Sequence, residues 1–80
     1  MNKTEVLRKL QDIIVPYLDK PCEIQMEMSL RNDLQINSVD IVNIICEIEE
    51  VFQCTISIDQ LIEMDIVKKL VQYIIDMGDK

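Results

Sequence analysis

Between Ser38 and Phe52 the apolar residues return at a helical period, and this pattern constrains the 80-residue chain more than any other feature. On a wheel of about 100° per residue, Ile41, Ile44, Ile45, Ile48, Val51 and Phe52 gather on one side, and Asp40, Asn43, Glu47 and Glu50 gather opposite. The first group is the expected core face, and the second faces water. Val39, Val42 and Cys46 form a third strip between them, at i, i+3 and i+7. A long loop could bury this strip; left open, it would be an apolar contact ringed by acids, the usual anatomy of a protein docking patch. Asn37 and Ser38 stand just ahead of the run, and both side chains accept hydrogen bonds from the unpaired amides of a first turn. With Asn37 as cap, Ser38 becomes the first helical residue and its hydroxyl points outward.

The flanking segments also read as helical. In "TEVLRKLQDIIVPYL" the residues Val6, Leu7, Leu10, Ile13, Ile14 and Tyr17 recur at helical spacing, with Asn2 or Thr4 as cap and Pro16 disturbing or ending the run. From Asp19 to Asn37 no period is sustained. Ile24, Met26 and Met28 alternate briefly, which allows a short strand, and Leu30, Leu34 and Ile36 are placed to pin a long loop to the core. Ser57 and Gln60 have capping-box spacing and open a helix of about two turns. Asp65 is the expected cap of "IVKKLVQYIIDM", with Val67, Leu70, Val71, Ile74 and Met77 as its stripe and Gly78, the only glycine, in the left-handed position past its end. The chain is therefore expected to be all-α: three main helices plus one short helix, a long loop between the first two, and one domain over residues 1–80.

Composition removes several functions. A chain that is 49% hydrophobic and 29% charged is expected to fold as a globule. No apolar run approaches the roughly 20 residues of a membrane span, and "MNKTEVLRKLQ" lacks the apolar core of a signal peptide, so a cytoplasmic location is expected; a monomer is expected as well. Cys22, Cys46 and Cys54 are odd in number and have no CxxC spacing, so they read as free, partly buried thiols. With no histidine there is no Ser/His or Cys/His nucleophile pair, and no phosphate loop, EF-hand or HExxH motif is present, so the chain does not read as an enzyme or a metal site. Between Asn32 and Val67 lie eight acids, Asp33, Asp40, Glu47, Glu49, Glu50, Asp59, Glu63 and Asp65, without one Lys or Arg. That field repels nucleic acid and attracts proteins with basic surfaces.

"DLQINSVDIVNIICEIEEVF" followed by "ISIDQLIEMDIVKKLVQYI" resembles the acyl carrier protein family over essentially the whole chain. The resemblance implies a small acidic bundle of three main helices and a short one. It also implies 4'-phosphopantetheine on a serine that follows an Asp and precedes a Leu at the start of the second helix. Ser38 corresponds to that serine, with Asn37 where the Asp usually stands and Val39 where the Leu stands; Asp33, Leu34, Glu49, Glu50, Phe52 and Ile56 also match. Gln35 replaces a usual glycine, and Asn37 removes a charge beside the serine, which leaves room for a specialised carrier. The implied function is to carry acyl intermediates as thioesters for fatty-acid, polyketide or related enzymes. A phosphopantetheinyl transferase and acyl-loading and acyl-transferring enzymes with basic surfaces would be its partners, docking on Val39, Asp40, Val42, Asn43, Cys46, Glu47 and Glu50. The alternatives are a peptidyl or aminoacyl carrier and, from a different class, an acidic helical adaptor in which Ser38 is only a cap.

Overall fold

The computed structural model describes residues 2–78, and these form four α-helices: α1 (Lys3–Ile14), α2 (Ser38–Phe52), α3 (Ile58–Met64) and α4 (Val67–Gly78). No strand occurs among the described residues; the brief alternation after Ile24 yields one isolated bridge, between Ser29 and Ile66. Asn2 caps α1, its Oδ1 accepting from the Glu5 N–H at 2.8 Å, and a 3₁₀ turn over Val15–Tyr17 takes the chain off at Pro16. Asn37 caps α2 in the same way, through the Asp40 N–H at 2.9 Å. The capping box at Ser57 and Gln60 is complete: Ser57 Oγ accepts from Gln60 N–H and Gln60 Oε1 accepts from Ser57 N–H. These short polar signals start helices because each satisfies an amide that the helix itself leaves unpaired.

One core cluster joins all four helices and the loop. Val6, Leu10, Ile13 and Ile14 of α1, Ile41, Ile44, Ile45, Ile48 and Phe52 of α2, Leu61 of α3 and Val67, Leu70, Val71 and Ile74 of α4 are buried in it. Ile24, Leu30 and Ile36 of the long loop reach the same cluster, with Leu34 half-buried against it, so apolar anchors hold the loop down. Val51 departs from the wheel: it is 47% exposed although Ile44, two turns earlier on the same face, is buried. In that last turn Phe52 takes the buried place and Val51, at the edge of the face next to Asp40, is left open before Gln53 turns the chain in a left-handed conformation.

The entry into α4 differs from the sequence expectation. Asp65 is the left-handed residue closing α3, its N–H donating to Leu61 O, and its carboxylate turns toward the long loop. Ser29 Oγ donates to Asp65 Oδ2 at 2.5 Å, while the Arg31 N–H and guanidinium meet Oδ1 at 3.2 and 3.5 Å. The first amides of α4 are satisfied by loop carbonyls, Val67 N–H donating to Met28 O and Lys68 N–H to Met26 O, and Leu30 N–H returns a bond to Asp65 O. Gly78 is the last residue of the helix itself and not the turn beyond it. Cys22 and Cys46 are exposed and only Cys54 is half-buried, so two of the three thiols are more open than their apolar character suggests.

Three non-glycine residues carry positive φ: Gln35 at 54°, Gln53 at 55° and Asp65 at 33°. For an L-residue this costs roughly 1–2 kcal/mol. Gln35→Gly should therefore match or exceed wild-type stability, the relieved strain being partly offset by a looser unfolded chain. Gln35→Val should lose stability. Ser29→Ala strips a buried partner from Asp65 and should cost about 1–3 kcal/mol. Urea and thermal melts check all three; an unaltered Ser29→Ala would show that backbone bonds and Arg31 alone hold the loop.

Candidate functional site

Ser38 is exposed at the first position of α2, and the residue before it does the capping. Asn37 Oδ1 has taken the Asp40 amide and Asn37 O the Ile41 amide. Among the described residues the Ser38 and Val39 amides have no protein acceptor, and the Ser38 hydroxyl has no partner. An anionic ester on that oxygen would stand beside two free N–H donors and the positive end of a 15-residue helix. The site thus fits a phosphodiester-linked group. The acid in the first turn, Asp40, is half-buried and makes the surroundings unsuited to a second free anion.

The third strip of α2 is open. Val39 is 71% and Val42 46% exposed, Cys46 is exposed beside them, and the long loop covers none of the three. Asn43 and Glu50 are exposed, whereas Asp40 and Glu47 are half-buried. Ile58 and Ile62 of α3 are also exposed, extending the apolar surface beyond what the sequence pattern of α2 alone indicated. Their signal was the excess of apolar residues in a seven-residue helix that can bury only Leu61.

The eight acids are not equivalent. Four of them serve the fold: Asp33 accepts from Ser29 N–H, Glu49 from Ile56 N–H, Asp65 from Ser29 and Arg31, and Glu47 from the Tyr17 hydroxyl at 2.6 Å. Asp40, Glu50, Asp59 and Glu63 have no side-chain partner among the described residues and supply the free part of the field. Tyr17 was legible as an apolar residue of the first helix, but its polar tip reaching α2 was not. The hydrogen bond to Glu47 raises the Tyr17 pKa above its ordinary value of 10.0, with burial and the charges of Glu47 and Asp40 acting in the same direction. Burial likewise raises the Cys54 thiol, with Glu49 adding.

Comparison with known proteins shows the family. The family model described as a phosphopantetheine attachment site matches residues 8–74, which include Ser38. An acyl carrier protein of Amoebophilus asiaticus is 40% identical over 72 residues, covering 89% of this chain and 90% of the relative. Acyl carrier protein 3 of Ralstonia nicotianae is 40% identical over 75 residues, covering 92% and 86%. An acyl carrier protein of Rubrobacter xylanophilus is 32% identical over 77 residues, covering 95% of each.

The Tyr17–Glu47 contact yields a pH dependence whose sign follows from the raised pKa. The fold favours the neutral phenol, so its contribution is complete below the unfolded pKa near 10 and is lost as pH rises through the folded value. The phenolate spectrum of wild type minus that of Tyr17→Phe isolates this residue, and its midpoint should lie above 10.0. Glu47→Gln should lower that midpoint. If Glu47→Gln left the midpoint in place, the hydrogen bond would not be its cause.

Proposed function

The chain belongs to the acyl carrier protein family, and from that premise we propose that Ser38 is where it bears 4'-phosphopantetheine, as a single monomeric carrier domain working in the cytoplasm. The observation that carries this assignment is the division of labour at the start of α2. Asn37 caps, so Ser38 is free to be exposed and modified. The bound group supplies a terminal thiol on which cargo travels as a thioester. The chain itself is a carrier and not a catalyst; its residues orient the attachment oxygen and present a face to the enzymes that load, alter and unload it.

That face is proposed to be Val39, Val42 and Cys46 with Asp40, Asn43, Glu47 and Glu50 around them. The open strip offers apolar contact, and the free carboxylates steer partners with basic surfaces, among them a phosphopantetheinyl transferase and acyl-handling enzymes. An acyl cargo, of fatty-acid, polyketide or related type, is favoured over an aminoacyl one by the apolar seam between α2 and α3. Val42 of α2 and Ile62 of α3 are exposed, and Ile45 and Leu61 are buried. An alkyl chain entering there would gain roughly 0.8 kcal/mol per methylene before repacking costs.

Intact mass after incubation with coenzyme A and a phosphopantetheinyl transferase tests the site. Wild type should gain one arm and Ser38→Ala none while remaining folded; equal labelling of the two would place the arm elsewhere. Docking is tested by association kinetics with a loading enzyme. Glu50→Lys should slow association several-fold more than Glu5→Lys, with a loss that shrinks as salt screens over about 10 Å at 0.1 M. Val39→Asp should weaken the complex with little salt dependence. Amide NMR shifts across a series of acyl lengths identify the cargo class: spreading from Ser38 toward Ile45 and Leu61 as chains lengthen supports acyl sequestration. Shifts confined to the first turn of α2 at every length would favour the aminoacyl carrier.

A further inference from the structure

A groove of about 510 Å3 opens beside Ser38, on the side away from the α2–α3 seam. One bank is the segment leaving the 3₁₀ turn, with Leu18, Lys20 and Cys22; the other is the chain entering α2, with Leu34, Asn37 and Asp40. Its volume is that of a small-ligand site, for which roughly 300–1,000 Å3 is usual. Three properties narrow the occupant. Asp19, Asp33 and Asp40 face a single ammonium, Lys20, so a free anion is disfavoured. No cluster of three or more metal-ligating side chains exists among the described residues, so the carboxylates do not make a cation site. The lining combines apolar surface, from Leu18 and Leu34, with the polar side chains of Asp33, Gln35, Asn37 and Asp40, which suits a chain of methylenes interrupted by amides.

The fourth property is position. Asn37 lines the groove and immediately precedes Ser38, so a chain tethered to the Ser38 oxygen is delivered there at an effective concentration no free ligand would match. Beyond its phosphate, phosphopantetheine is uncharged, linear and amide-bearing. We propose that this groove is the resting cradle of the unloaded arm, which lies along it with its amide N–H groups toward the carboxylates and its thiol at Cys22. The inference rests on Ser38 being the attachment point. It gives the arm two places, the cradle when empty and the opposite side of α2 when it bears an apolar cargo, so loading moves the thiol across the start of the helix.

The chain carries its own controls. Cys22 is exposed in the groove, Cys46 is exposed outside it on α2 about 12 Å of helix rise from Ser38, and Cys54 is half-buried. The full chain is loaded with the arm, checked by intact mass and exposed to glutathione disulfide. A Cys22 thiolate attacks the oxidant and expels one glutathione thiolate; the arm thiolate then attacks the Cys22 sulfur of the mixed disulfide and expels the second. The two protein thiols lose two electrons and two protons, which leave as two reduced glutathiones. Peptide mapping should find the arm joined to Cys22 at least ten-fold more than to Cys46, with Cys22→Ser losing the product without an equal gain at Cys46. In the reduced state, loading should shift the amides of Leu18, Asp19, Lys20 and Cys22. Equal linkage to Cys22 and Cys46, or a majority at Cys46, would overturn the cradle and show an arm that sweeps freely. Absence of the mass gain would instead overturn the attachment site, and the cradle with it.

Discussion

The Asp65 carboxylate joins parts of the chain that no helix period brings together. It closes α3 in a left-handed turn, accepts from Ser29 and Arg31, and so draws the long loop across the α3–α4 junction. Once there, the loop's Met26 and Met28 carbonyls satisfy the first amides of α4. The dependence is mutual: α4 lacks a side-chain cap, and a 20-residue connection without regular structure would cost conformational entropy with little to offset it if it bonded to nothing. Ser29 is 4% exposed, and its partners leave no described buried side-chain polar atom unpaired, so the joint is satisfied. Removing one partner leaves the others buried and unmatched, which is why a single hydroxyl there weighs more than one on the surface.

The helices were legible because their signals are local. Apolar period, the Asn2 and Asn37 caps and the Ser57–Gln60 box each lie within one or two turns of what they specify, and α1, α2 and α3 begin where those residues place them. The start of α4 was not legible in the same way. Its cap is a pair of backbone carbonyls some 40 residues away, and a carbonyl has no residue type; Asp65 stood at the right spacing for a cap and was used by the loop. The loop's apolar anchors could be named, whereas the path between them could not, so whether it buried Val39, Val42 and Cys46 was open until the structure left them exposed. Val51 shows the complementary limit: a wheel assigns a side, but in the last turn of α2 the core covers Phe52 and not Val51 at the edge of that side.

Charge counting needs the same correction. Eight acids in a row of 34 residues without a base suggest a continuous field, but half of them hold the fold through amides, hydroxyls or Arg31. Hydrogen bonding does not remove a carboxylate's charge. It does fix where that charge stands and lowers its freedom to reorganise around a partner. The acidic field is therefore partly rigid, from Glu47 and Glu49 on α2, and partly adaptable, from Asp40, Glu50 and the two acids of α3 without a side-chain partner among the described residues, Asp59 and Glu63.

If Ser38 bears the arm, as proposed, Asn37 in place of the Asp that usually precedes the family's serine acquires a physical meaning. A carboxylate in that position would cap α2 and interact with its dipole more strongly than an amide does. It would also stand beside a phosphodiester, and like charges at such range oppose one another. Asn37 keeps the hydrogen bond to Asp40 N–H and removes the repulsion, at the cost of some dipole stabilisation. Among the described residues the Ser38 hydroxyl makes no hydrogen bond, so esterifying it would take nothing from the helix, and the two amides left open at Ser38 and Val39 would be available to the new charge. Had serine been the cap, modification would have broken the contact that starts α2. With the cap and the proposed carrier oxygen on successive residues, an arm added at Ser38 would join a domain whose fold already stands.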